Sequence, residues 1–172
     1  MGKNVSVVLQ KKLPPKCKDP GMFTIPCKIG NTRFERAMLD LGASINVMPY
    51  SIYASLNLRS LEETSVIIQL ADHSNIYLKG VIEDVLVQVN ELVFLADFYV
   101  IDMEDEISSN PTPILLGRAF LKTARTKIDV HDGTLTMEFN GEIIRFNIFE
   151  AMRWIPSDVH SIFNINIIDS LV

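Results

Sequence analysis

From residue 23 the chain alternates. Phe23, Ile25, Cys27 and Ile29 are apolar, and smaller or polar residues stand between them. A period of two predicts a strand over 23–29. Gly30-Asn31 is a hairpin signal, and 33–37 returns antiparallel. That hairpin leads into Met38-Leu39-Asp40-Leu41-Gly42-Ala43-Ser44-Ile45-Asn46-Val47-Met48-Pro49, which reads as strand, acidic turn, strand. Residues 50–56 switch to helical spacing and predict a short helix, with Ser51 as its cap and Tyr50, Ile52, Tyr53 and Leu56 as core. A β-branched strand over 65–70, a polar turn over 71–75 and a partner over 76–80 make a second hairpin. Residues 81–89 continue it and turn at Asn90-Glu91. The run 92–101 is nearly all apolar, which predicts a central strand.

The remainder follows the same grammar. Residues 102–113 are acidic and then Ser/Asn/Pro-rich, a surface loop. Ile114-Leu115-Leu116 is a short buried strand ended by Gly117, and 118–123 reads as a helix. Strands are expected over 127–130, 134–139 and 143–148, separated by the turn pairs Asp132-Gly133 and Asn140-Gly141. Residues 1–21 form a partly ordered arm, with a short strand over 5–9 broken by Pro14-Pro15. The tail from 149 is mixed, and its alternating stretch 163–167 is a candidate last strand. Many short strands with two short helices describe an all-β, barrel-like domain over 22–148, preceded by the arm and followed by an extension over 149–172.

Within this frame the acidic turn is the unusual element. Asp40 lies between apolar residues, and burying a lone carboxylate costs several kcal/mol unless it is hydrogen-bonded, paired or protonated. Gly42 allows a tight turn and brings its amide toward the carboxylate with no side chain between them. Ala43 and Ser44 are small and leave room. Read alone, Asp-Leu-Gly also fits an ordinary turn with its carboxylate in water. The second crossing sets it apart: Ile114-Leu115-Leu116-Gly117-Arg118 is again apolar, again ends in glycine and again precedes a short helix, but lacks the acid.

Composition adds bounds. The chain has 172 residues, 48% of them apolar and 22% charged, with a net charge of −5. Length and apolar content suffice for one domain with a real core. The acidic balance argues against nucleic acid as a partner of this domain, because phosphate contacts need clustered Lys and Arg. The densest basic stretch, Lys11, Lys12, Lys16 and Lys18, lies in the Pro-rich arm and reads as a solvated tail. No apolar run approaches the ~20 residues that span a bilayer, so no membrane contact is expected. Cys17 and Cys27 lack the His or further Cys of a zinc site. They read as reduced thiols of a cytoplasmic protein, with a disulfide between them as the alternative.

Taken together, these residues resemble a known family. Asp40-Leu41-Gly42-Ala43 is similar to the Asp-Thr/Ser-Gly-Ala turn of retroviral-type aspartic proteases, and Leu116-Gly117-Arg118 to the strand that passes beside it. The likeness runs from about residue 12 to the C-terminus. It is closest to proteases of gypsy-type LTR retroelements, particularly plant ones, on Leu13-Pro14-Pro15-Lys16, Asp19-Pro20-Gly21, Phe23-Thr24-Ile25-Pro26-Cys27, Leu70-Ala71-Asp72 and Gly80-Val81-Ile82-Glu83-Asp84-Val85. The extension, ending Ile167-Ile168-Asp169-Ser170-Leu171-Val172, resembles the linker that follows the protease in those polyproteins.

The resemblance implies a retropepsin-like acid protease barrel whose active site forms at a homodimer interface, with a polyprotein peptide as substrate and neither metal nor cofactor. Asp40 is then the single catalytic carboxylate of each subunit, and Leu41, Gly42, Ala43 and Ser44 complete its turn. The hairpin 69–80 becomes a flap over substrate, carrying Leu70, Ala71, Asp72, His73 and Ser74 at and beside its tip. Leu116, Gly117 and Arg118 support the site. In viral relatives an acid after Gly-Ala often pairs with that arginine. Here the residue is Ser44, so Arg118 is left without an assigned acceptor. Leu41 departs most sharply, since the family places Thr or Ser there to hydrogen-bond across the dimer. Two outcomes follow: Leu41 packs against its mate and keeps the dimer, leaving activity reduced but present, or the domain is a folded remnant that dimerises or binds peptide without cutting it.

Overall fold

A computed structural model of the chain describes residues 15–16, 23–70, 75–102, 114–148 and 165–168. Strands β1 (Phe23–Ile29) and β2 (Thr32–Leu39) form the first hairpin around Gly30-Asn31. β3 (Asn46–Pro49) follows the acidic turn and runs into helix α1 (Tyr50–Leu56). β4 (Ile67–Leu70) pairs with the start of the long β5 (Asn75–Val89), which returns through a two-residue turn into β6 (Leu92–Ile101). β7 (Leu115–Leu116) precedes helix α2 (Arg118–Thr123). β8 (Lys127–Asp129), β9 (Thr134–Phe139) and β10 (Glu142–Asn147) make a separate antiparallel sheet, and β11 (Ile165–Ile168) lies against β4.

Six of these strands close on themselves in the order β1-β2-β7-β3-β6-β5, and β5 pairs back to β1 through Lys28↔Gln88 and Ile29↔Val87. Closure leaves those strands without an open edge. The barrel is filled by the inward positions that the period-two pattern marks: Ile25, Cys27 and Ile29 from β1, Val85, Val87 and Val89 from β5, and Phe94, Ala96 and Phe98 from β6. Phe94 stands edge-on to Phe120 of α2 and to Phe139 of β9, with ring centroids at 5.6 and 6.1 Å. The aromatic contacts, together with buried Leu135 and Met137, tie the three-stranded sheet to the barrel. Burial pushes the Cys27 thiol up to about 12. It is free, and Cys17, its suggested partner, lies outside the described residues.

β5 bends to serve both the barrel and the β4 hairpin. Its register slips between Leu78 and Gly80 and again between Ile82 and Val85. At the first slip Gly80 adopts φ +154, and a Cβ there would stand 2.6 Å from the Glu62 carbonyl oxygen. At the second, Asp84 adopts φ 54 and its amide donates to the Asp97 carboxylate at 2.9 Å. Lys79 anchors the hairpin base by pairing with Asp102 at 2.7 Å and lying over the Tyr50 ring.

Some sequence expectations need correction. Pro49, not Ser51, is the N-cap of α1, with φ −60 and ψ 142 and no side-chain cap; Ser51 falls inside the first turn. Tyr50, expected in the core, is 41% exposed. β6 is flanked by β3 and β5 but is buried on one face only. Val93 and Leu95 point outward, because a barrel wall has a solvent side that an all-apolar sequence does not reveal. Asn75, placed in the turn, already belongs to β5, and β4 starts at Ile67 rather than 65. The arm other than 15–16, and the tail other than 165–168, lie outside the described residues.

Candidate active site

The acidic turn owes its shape to β7. This two-residue strand inserts between β2 and β3, parallel to β2 through Met38↔Leu115 and Leu39↔Leu116, and antiparallel to β3 through Val47↔Leu115. β2 and β3 are therefore splayed apart at their ends, and residues 40–45 must bridge the gap. Three consecutive residues hold the bridge. The Leu116 carbonyl accepts from the Asp40 amide at 3.0 Å. The Gly117 amide donates to Asn46 Oδ1 at 2.9 Å. The Arg118 amide donates to the Ala43 carbonyl at 2.8 Å.

Asp40 is half-buried at the mouth of this construction. Its Oδ1 accepts from the Gly42 amide at 2.7 Å, an approach that glycine's bare backbone permits. Such a bond fixes the carboxylate's rotamer and leaves Oδ2 outside it. Leu41 beside it is 57% exposed, a large apolar side chain at the rim of a carboxylate. Ala43 is fully buried, whereas Ser44 is partly exposed.

Arg118 finds acceptors that the sequence did not suggest. Its Nη1 donates to the Leu41 and Gly42 carbonyls at 3.0 and 3.2 Å. With no acid at position 44, the guanidinium braces the turn's own backbone instead. Arg118→Met is expected to lower stability by about 1 kcal/mol, because the freed carbonyls are close enough to water to be solvated. Thermal unfolding should register that as a fall of about 2–4 °C.

Beneath the turn a second apolar cluster joins Met38, Ala43, Val47 and Leu115 to Ile68 of β4 and Ile101 of β6, with Ile45, Ile76 and Leu78 packed on it. The base of the β4–β5 hairpin is thereby seated against the elements that carry Asp40. Of the expected hairpin residues, Leu70 is described by its backbone in β4 only, and Ala71, Asp72, His73 and Ser74 lie outside the described residues. Of Leu116, Gly117 and Arg118, Leu116 bonds Asp40 itself, Gly117 bonds Asn46, and Arg118 bonds the backbone of residues 41–43.

Asn46 is the site residue that sequence reading passed over. It is 2% exposed, and its Nδ2 donates to the Asp97 carbonyl at 3.0 Å while its Oδ1 serves Gly117. The available signal was a lone amide inside the apolar run Ile45-Asn46-Val47-Met48, since a buried polar side chain must find partners. Among the described residues no group of three or more His, Cys, Asp or Glu side chains is placed to hold a metal.

What this geometry offers chemically is one oriented, accessible carboxylate on a rigid frame, floored by aliphatic side chains. Residues 25–120, more than half of the chain, match the family model described as aspartyl protease. Among solved structures the chain is similar to the retroviral protease-like domain of Ddi1 from Leishmania major, with TM-score 0.55 and 20% identity over 73% of this chain and 94% of that one. A retropepsin-like aspartic protease from Rickettsia conorii aligns over 63% of this chain and 77% of its own, with 19% identity and TM-score 0.44. No curated protein sequence matches. The matched segment contains the turn, β7 and the first half of α2, and on that match the chain belongs to the aspartyl protease family, with a retropepsin-like fold.

Proposed function

We propose that the protein is an aspartic endopeptidase that works as a homodimer, with one Asp40 from each copy. The observation that carries this reading is the seating of Asp40: half-buried, held through one oxygen by Gly42, and set at the end of a braced turn beside exposed Leu41. Peptide hydrolysis by this chemistry needs two carboxylates sharing one proton. The ionised partner takes a proton from water as the oxygen adds to the peptide carbonyl carbon. The protonated partner donates to the carbonyl oxygen, giving a tetrahedral diol. Collapse of the diol then breaks the C–N bond as the amine takes up a proton. Each chain supplies one such turn, so a two-fold axis through the pair completes the site.

In that dimer Leu41 meets its mate across the axis, and apolar packing replaces the hydroxyl bonds of the usual Thr or Ser. The β4–β5 hairpin closes over the peptide and excludes water. We further assign the substrate to the polyprotein of a gypsy-type LTR retroelement, on the sequence resemblance at 13–16, 19–21, 23–27, 40–49, 70–72, 80–85 and 114–120, and the setting to the cytoplasm, where the free thiol of buried Cys27 is at home.

The test pairs sizing with cleavage. The purified chain should run as a dimer and cut a peptide at acidic pH. A statine-type inhibitor should block it. A chain that stays monomeric yet cuts, or a dimer that never cuts, ends the proposal; the second result would mark a peptide-binding relic. Leu41→Lys places like charges face to face at the contact. It should weaken dimerisation by about 10²-fold or more, with cleavage falling in step at a fixed protein concentration.

A further inference from the structure

We propose that Asn46 is a positioning residue for the acidic turn, transmitting the fixed geometry of β6 to Asp40 through the Gly117 amide. The inference rests on the catalytic reading of Asp40 given above. Leu116 and Arg118 meet the turn backbone to backbone. Gly117, between them, has no backbone acceptor for its N–H, and Asn46 Oδ1 takes that place at 2.9 Å. The side chain thus acts as a surrogate rung of the sheet. Its other end is tied to the Asp97 carbonyl in β6, a strand that runs parallel to β3 and lies in the barrel wall. With both ends bonded and only 2% of its surface exposed, the amide has a single orientation available.

The link has a direct route to Asp40. Gly117 is pressed so closely on the bridge that a Cβ would overlap the Ile45 carbonyl oxygen. A shift of Gly117 therefore moves Leu116, whose carbonyl holds the Asp40 amide, and Arg118, whose amide and guanidinium hold Ala43, Leu41 and Gly42. Two carboxylates that must meet across a two-fold axis tolerate little displacement, and misplacement by about 1 Å can cost about 10²-fold in rate. Asn46 touches no reacting atom, and its effect is exerted wholly through this framework.

Two substitutions test it, read by kcat, KM, sizing and thermal unfolding on the full chain. Asn46→Leu keeps the approximate size and removes both bonds. It should leave the dimer and KM within about twofold and lower kcat by about 10²-fold. Asn46→Asp supplies the rescue. Protonated, its carboxyl accepts from Gly117 and donates to the Asp97 carbonyl as the amide does; ionised, it loses the donor. The titratable and charged groups around the position are Glu83, Asp84, Asp97 and Tyr99, which line the cavity beside it, and Arg118, which follows Gly117. The ratio of kcat in Asn46→Asp to that of the wild type should thus approach one at the acid end and fall as pH rises.

Asn46→Leu with unchanged kcat, or with a loss confined to KM or to dimerisation, overturns the proposal. If Asn46→Leu fails to fold, the Asp variant decides alone, and a ratio that is flat with pH overturns it. A wild-type chain that never cleaves overturns the catalytic reading and this one with it. A wild type that cleaves beside an indifferent Asn46 variant removes only this inference.

Discussion

Asp40→Asn should abolish cleavage while leaving the fold intact. The substitution keeps an oxygen at Oδ1, so the 2.7 Å bond from the Gly42 amide survives and the turn keeps its shape. What disappears is the exchangeable proton and the base that receives it. General acid–base groups contribute about 10²–10⁴-fold each, and in a symmetric pair one substitution removes both, so a fall of at least about 10³-fold is expected. Thermal unfolding should stay within a degree or two of the wild type, since a partly exposed carboxylate with one backbone bond adds little to stability. Residual cleavage at wild-type rate in this variant would place the chemistry elsewhere.

Gly117→Ala should be strongly destabilising for a single added methyl. The added Cβ would overlap the Ile45 carbonyl oxygen and stand 2.7 Å from that of Ala43. Neither neighbour is a side chain that can swing aside. Both are backbone atoms of the bridge, and the Ala43 carbonyl is already fixed by the Arg118 amide. Overpacking of this kind costs about 3 kcal/mol or more, which for a chain of this size lowers the midpoint of thermal unfolding by about 6–12 °C. Backbone strain is not the cause, because φ at Gly117 is −89, within reach of alanine. The prediction is therefore specific to contact. Activity should fall further than stability does, because any relief of the overlap displaces residues 43–45. A Gly117→Ala chain with wild-type melting would mean that the bridge is softer than its bonding implies.

The hairpin turns and the two glycine-ended crossings were legible for different reasons. Gly30-Asn31 and Asn140-Gly141 sit between runs of period two, and each became the tight turn expected of it. Ile114-Leu115-Leu116 announced a buried strand through composition alone. Its place in the sheet was invisible, since a two-residue strand pairing in parallel with residues far back in the chain leaves no local signature. Asp40 could be singled out because an acid in an apolar run demands an account. Asn46 made the same demand more quietly, and its two partners, Asp97 and Gly117, are distant in sequence and offer only their backbones. The acceptors of Arg118 escaped notice for that reason too: main-chain carbonyls carry no side-chain identity to read. The outward face of β6 was missed because an apolar residue costs little when exposed singly, so Val93 and Leu95 give no warning.

Strand β11 bears on how the molecule is made. It pairs antiparallel with β4, from Ile165↔Leu70 to Ile168↔Ile67, and every strand of the closed barrel except β1, β2 and β3 lies between the two in sequence. Contacts that span so much chain form late, after local hairpins have zipped. During synthesis β4 and β5 emerge together and can pair at once, but the outer side of β4 has no partner yet. A nascent chain carries that side bare, open to any extended segment nearby, until residues 165–168 clear the ribosome.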